Sequence, residues 1–250
     1  MRKIGFSTGA LALSNFELAF QYMKSTPLHF DAVEISALRV HELAPLIAWL
    51  ERVDFCLPFT SVVIHAPSVM NTKEELEVAD LLRKVHQRHL PIVLHADAYH
   101  NSAIWQQFDD GLLIENMDKR KSGGRTADEL DVIFDELPNA GLCFDIGHAR
   151  QIDPTMIEAS EILKRHGQRL KQIHLSEVTC GSKHVPLSHT SIVAVRSVAP
   201  SIPIDIPIIL EAQVEPTQML SEVQRAEEAL NAFSETDAQY RNAFHGRVVA

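Results

Sequence analysis

The sequence predicts an α/β protein folded as a single (β/α)8 TIM barrel, on three observations. First, seven short apolar runs each end in a carboxylate or an imidazole. Ala32-Val33 ends in Glu34, Val62 to Ile64 in His65, Ile92 to Leu94 in His95, and Leu112 to Ile114 in Glu115. Leu142 to Phe144 ends in Asp145, Ile173 in His174, and Ile208 to Leu210 in Glu211. Second, those ends lie 31, 30, 20, 30, 29 and 37 residues apart. A strand, a helix and two loops need roughly 30 residues, so most intervals hold one βα unit. Third, the chain has 250 residues, the usual size of such a barrel. The run Lys3 to Ser7 adds the first strand and makes eight. No linker composition divides the chain, so residues 1–250 are read as one domain.

Each element then follows in order. Ser14 or Asn15 is placed to cap a helix over Phe16 to Lys24. Glu42 to Val53 has helical periodicity. Asn71-Thr72 opens a helix with Glu74, Glu75 and Glu77 at its start and Lys84, Arg88 and His89 at its end, the order a helix dipole favours. Pro91 stops that helix just before the fourth strand. Ala98 to Gln107 is read as the next helix. Thr126-Ala-Asp-Glu129 is a capping box. Asp153-Pro154 is a cap followed by proline, placing the helix after the sixth strand there. Val178 to His189 reads as a long loop, and Glu215-Pro216 opens a last helix to about Phe233.

Composition narrows the function. The net charge of −10 disfavours a nucleic-acid binder, whose affinity comes from cations on phosphates. Cys56, Cys143 and Cys180 are odd in number and lack CxxC spacing, which argues against a disulfide framework or a cysteine zinc site. Cys143 reads as core packing. No apolar run reaches membrane-spanning length and no signal peptide is expected, so the reading is a cytoplasmic protein away from membranes. A homo-oligomer is compatible with the sequence.

The strand ends would meet at the mouth of the barrel, where βα-loop chemistry resides. A single histidine at a strand end is ordinarily a hydrogen-bonded structural residue. A ring of imidazoles and carboxylates around one cavity is instead the ligand set of zinc, manganese, iron or cobalt. The candidates are Glu115, Asp145, His174 and Glu211, then His65, His95 and His148, with His184 joining from the loop after the seventh strand. Glu34 is equally suited to orienting a ligand from behind. His29, His41, His86, His89, His166 and His245 are read as solvated. Lys119 to Arg125, the most basic stretch, directly follows Glu115. It suggests that Arg125 grips an anionic substrate, as Arg150 beside His148 would.

These motifs resemble the xylose isomerase-like TIM barrel superfamily, which includes sugar isomerases and epimerases and the endonuclease IV enzymes. The resemblance covers essentially the whole chain. It rests on Ile114-Glu115-Asn116, Phe144-Asp145-Ile-Gly-His148, Ile173-His174-Leu-Ser-Glu177 and Glu211. The epimerase pattern implies that Glu115, Asp145, His174 and Glu211 hold one divalent metal. It also implies that Glu115 and Glu211 form the acid/base pair and that His148 touches substrate. The endonuclease pattern implies further histidines after strands three and four, which His65 and His95 match. It also asks for Asp-x-His after strand seven, where Ser182-Lys-His184 has serine. Glu177 likewise stands where aspartate is usual. One or two divalent ions, zinc or manganese, are therefore expected rather than three.

The favoured reading is a metal-dependent isomerase or epimerase of a small sugar or related hydroxy-carbonyl compound, working through an enediolate-like intermediate. The alternative is an endonuclease IV-like phosphodiester hydrolase acting on abasic DNA. The acidic balance and the aromatic content of 6% weigh against it. A ligand-binding barrel without turnover is the third class.

Overall fold

The computed structural model describes residues 2–52 and 59–231. Its strands are β1 (Ile4–Ser7), β2 (Ala32–Ser36), β3 (Ser61–His65), β4 (Ile92–His95), β5 (Leu112–Glu115), β6 (Gly141–Asp145), β7 (Leu170–Leu175), β8 (Glu177–Val178), β9 (His184–Val185) and β10 (Ile208–Leu210). All but β8 and β9 close a parallel barrel in the order β1-β10-β7-β6-β5-β4-β3-β2, as the spacing of apolar runs predicts. β8 and β9 form a separate antiparallel ribbon, Glu177 opposite Val185 and Val178 opposite His184, inside the segment read from sequence as loop. Among the described residues no helix is long and apolar enough to cross a membrane.

Two-residue periodicity divides the barrel strands into an outer and an inner face. Ile64, Leu94, Ile114, Leu142, Phe144, Ile173 and Leu210 belong to the large buried layer between barrel and helices. Val63, Val93, Leu113 and Cys143 form a separate buried cluster inside the barrel. Each precedes by two residues His65, His95, Glu115 and Asp145 respectively, so those four tips share the inner face one layer nearer the mouth. The apolar plug beneath them excludes water from the floor of the site. β1 runs so close to β2 that a Cβ at Gly5 would lie 1.6 Å from the Ala32 carbonyl oxygen, and only glycine fits there.

The helices are α1 (Thr8–Ala12), α2 (Phe16–Ser25), α3 (Val40–Arg52), α4 (Glu75–His86), α5 (Ser102–Trp105), α6 (Ala127–Glu136), α7 (Ile146–Ile152), α8 (Ile157–His166), α9 (His189–Val198) and α10 (Met219–Leu230). Asn15 caps α2 by accepting from the Leu18 amide at 3.1 Å. Thr126 caps α6 through the Glu129 amide at 3.2 Å, but the Glu129 carboxylate returns to the Arg125 amide, one residue earlier than in a standard box.

Several boundaries differ from the sequence reading. The segment Ala98 to Gln107 contains only the single turn α5, followed by a 3-10 stretch over Gln106–Gly111. Asn71 organises a turn by accepting from the Lys73 and Glu74 amides, and α4 begins later, at Glu75. After β6 there are two helices. Asp145 itself caps α7, accepting from the His148 amide at 2.7 Å, and Asp153 tethers the start of α8 through the Glu158 amide at 3.0 Å. His166 is buried rather than solvated, its ring 4.9 Å from that of Phe134. The last helix follows a 3-10 turn at Pro216–Gln218 and ends at Leu230, and Asn231 is already extended; Val53, Cys56, Phe233 and His245 lie outside the described residues.

Candidate metal centre

The β5 and β6 strand ends are locked together before any ligand is considered. The Asn116 side chain donates to the Asp145 carbonyl at 2.9 Å and accepts from the Asp145 amide at 2.8 Å. Its own carbonyl meets His148 Nδ1 at 2.9 Å. One buried amide thus fixes the relative positions of Glu115, Asp145 and His148. The α7 cap adds a second tie, because Asp145 Oδ1 accepts the His148 amide and leaves Oδ2 free of hydrogen bonds, 3.4 Å from His148 Nδ1.

Glu115 is the hub. Its Oε2 faces His65 Nε2 at 3.1 Å and His95 Nε2 at 3.4 Å, while its Oε1 faces His174 Nδ1 at 3.3 Å and His148 Nδ1 at 3.4 Å. Glu211 joins from the end of β10, 3.3 Å from His174 Nδ1 and 3.4 Å from His184 Nδ1. Behind His174, Glu34 Oε2 meets His174 Nε2 at 2.8 Å and accepts from Gln172 Nε2 at 2.7 Å. Gln172 Nε2 also lies 2.9 Å from His174 Nε2, and the other ring nitrogen, Nδ1, faces Glu115 and Glu211.

Three sets of ligand atoms each converge within 4.8 Å: His65, His95 and Glu115; Glu115, Asp145, His174 and Glu211; and Asp145, His148 and His184. The third set assembles although serine replaces the aspartate at position 182. Ser182 is engaged elsewhere, its hydroxyl donating to Asp118 Oδ1 at 2.8 Å.

The chemistry of these atoms fits a divalent cation. Asp145 Oδ2, His174 Nδ1, Glu211 Oε2 and His95 Nδ1 are buried polar atoms with no hydrogen-bond partner. Such atoms are costly to bury. Three of them belong to the four-residue set, whose mix of two glutamates, an aspartate and an imidazole suits zinc or manganese.

Electrostatics separates the two glutamates. Burial alone would raise Glu115, but the surrounding imidazoles, His174 and His95 first, hold it well below the usual carboxylate range. Burial raises Glu211 well above that range despite the opposing pull of His174. Burial pushes His95 down, well below an ordinary imidazole. His65 is raised: its burial penalty is outweighed by Glu34 and Glu115.

The site opens into a cavity of about 630 Å³ lined by His65, His95, Glu115, His148, His184 and Glu211 among others. Two cations proposed from sequence do not line it. Arg125 is turned back along α6 into a two-point pair with Glu129, at 2.6 and 3.1 Å. Arg150 lies 4.0 Å from Glu177 and donates to Thr190. Arg120, Lys121 and Lys183 line it instead. The first two belong to the basic stretch singled out in the sequence. Nothing but its place beside His184 marked Lys183, and Asn116 and Gln172 gave no signal beyond sitting next to, or two before, a ligand-type residue.

The fold is a closed parallel (β/α)8 barrel with histidines and carboxylates gathered at the C-terminal ends of its strands. The description "xylose isomerase-like TIM barrel" matches residues 111–236, and the chain belongs to that family. Among solved structures it is similar to the IolI protein with a bound zinc atom, at 13% identity and a TM-score of 0.60, over 92% of this chain and 98% of that one. It is also similar to apo 3-keto-D-glucoside 4-epimerase, YcjR, from E. coli, at 14% identity and a TM-score of 0.52, over 92% and 99% of the two chains. At these identities the likeness speaks for the fold. No curated protein sequence matches the chain.

Proposed function

We propose that the protein is a divalent-metal-dependent isomerase or epimerase acting on a small sugar or related hydroxy-carbonyl compound. One observation carries this reading: Glu115 and Glu211 approach the same His174 nitrogen, each at 3.3 Å, and both line the open cavity. Two carboxylates about one point can remove and return a carbon-bound proton. Glu115, Asp145, His174 and Glu211 would hold the cation, and His65, His95, His148 and His184 offer room for a second. When bound, such a cation supplies Lewis acidity toward a carbonyl and its neighbouring hydroxyl. IolI carries zinc and YcjR is a keto-sugar epimerase, which supports the choice of cofactor and substrate class.

The chain's own residues would then act as follows. One carboxylate accepts the proton from the carbon beside the carbonyl, giving an enediolate-like intermediate. The other, or the same one, returns it. Return to the neighbouring carbon isomerises, and return to the opposite face epimerises. Ser7 and Ser36, whose hydroxyls meet at 2.9 Å on the cavity wall, offer hydrogen bonds to sugar hydroxyls.

A phosphodiester hydrolase is the second reading. It is favoured by the chain of three ligand sets, in which Glu115 links the four-residue set to His65 and His95 and Asp145 links it to His148 and His184, an arrangement suited to more than one ion. The two separate in one experiment. Metal-loaded protein incubated with a panel of aldoses and ketoses in D₂O should place deuterium on the carbon beside the carbonyl. Cleavage of an abasic duplex without any sugar exchange would establish the hydrolase instead.

A further inference from the structure

We infer that the substrate is an anionic sugar derivative and that Lys183 receives its phosphate or carboxylate at the mouth of the cavity. The inference deepens the isomerase reading, because it takes the same cavity as the place of reaction.

The lysine and arginine residues that line that cavity lie on one side only. Leu13, Leu38 and Val69, from the loops after β1, β2 and β3, carry no charge, and Leu13 and Val69 are exposed. The opposite wall, built from the loop after β5 and the ribbon after β7, carries Arg120, Lys121 and Lys183. These two segments are tied together. Arg120 Nη2 donates to the Ser182 carbonyl at 3.3 Å, and the Ser182 hydroxyl reaches Asp118 at 2.8 Å.

The three cations are not equivalent. Lys121 Nζ is 3.1 Å from both Asp97 oxygens, and Arg120 Nε is 3.4 Å from Asp118. Both are paired with a carboxylate. Among the described residues no carboxylate lies within the 4.0 Å of an ion pair from Lys183. Lys183 is exposed, lines the cavity and, unlike the other two, has no carboxylate partner among the described residues; it is next in sequence to His184, whose Nδ1 is 3.4 Å from Glu211. A substrate whose carbonyl end lies between Glu115 and Glu211 would bring an anionic end onto this wall. The apolar wall offers that charge nothing, which fixes the direction of binding.

The test measures binding and turnover separately. Calorimetry on zinc-loaded full-length protein would compare a neutral ketohexose, its terminal phosphate ester and the corresponding sugar acid. At least one anion should bind about tenfold or more tightly than the neutral sugar. Lys183→Gln should remove most of that preference, and the surface control Lys164→Gln should leave it intact. Which anion depends on Lys183 tells phosphate from carboxylate. A phosphate held by the metal alone would bind Lys183→Gln as tightly as wild type. That result, equal binding of all three sugars, or no binding of either anion overturns the inference. Deuterium exchange on the same compounds keeps the two readings apart. Lys183-dependent binding without exchange removes the isomerase and keeps the anion site. Exchange without charge preference does the opposite.

Discussion

Glu115→Gln is expected to lower proton exchange at the carbon beside the carbonyl by about 10²- to 10⁴-fold, the usual contribution of a positioned base. It should also lower metal content in the same preparation. The reason is geometric. Glu115 is buried, belongs to two of the three ligand sets, and has imidazole nitrogens of His65, His95, His148 and His174 within 3.1 to 3.4 Å of its two oxygens. Glutamine keeps the volume and removes the charge, so the barrel survives while its central anion is lost. His65 is held up partly by this carboxylate, and its proton affinity should fall with it. Elemental analysis, a thermal melt and the exchange assay together check the result. Full metal content with a wild-type rate would remove Glu115 from the site.

Glu34→Ala should be destabilised by about 3–5 kcal/mol, the range for breaking a buried charged pair from one side. Glu34 and His174 are both fully buried, 2.8 Å apart, and Gln172 also depends on the same oxygen. Removing the carboxylate takes away the anion that both the imidazole Nε2 and the amide face, leaving them only each other, at 2.9 Å, and the Cys143 sulfur. Glu34→Gln retains an acceptor oxygen and should restore much of the stability. It should still bind metal about 10- to 100-fold more weakly than wild type, because the carboxylate that raises the basicity of His174 is gone. Denaturant titration reads the first effect and competition against a chelator reads the second. Equal stability and equal metal affinity in both variants would show that Glu34 does not position His174.

The barrel was legible because each apolar run ends abruptly in a residue that is expensive to bury, at intervals set by one βα unit. The structure adds the period-two alternation behind those strand ends: Val63, two before His65, and Leu113, two before Glu115, pack inside the barrel. The roles that sequence hid are those made by contacts between distant segments. Glu34 and His174 are 140 residues apart in the chain and 2.8 Å apart in space. Arg125 does not line the cavity; a run of basic residues does not say which of them already has a carboxylate. Glu129, one helical turn further on, takes Arg125 out of the cavity. Asp145 was read as a strand-end ligand only. Its second task as the cap of α7 follows from His148 three residues on, a spacing that serves a cap and a ligand pair equally well.

Anomalous diffraction at the absorption edge of whichever metal elemental analysis finds tests the central claim most directly. The strongest peak should lie among Glu115, Asp145, His174 and Glu211, with any further peak beside His65 and His95 or beside His148 and His184. A stoichiometric metal located elsewhere, or an active crystal with no density among those four side chains, would contradict the account.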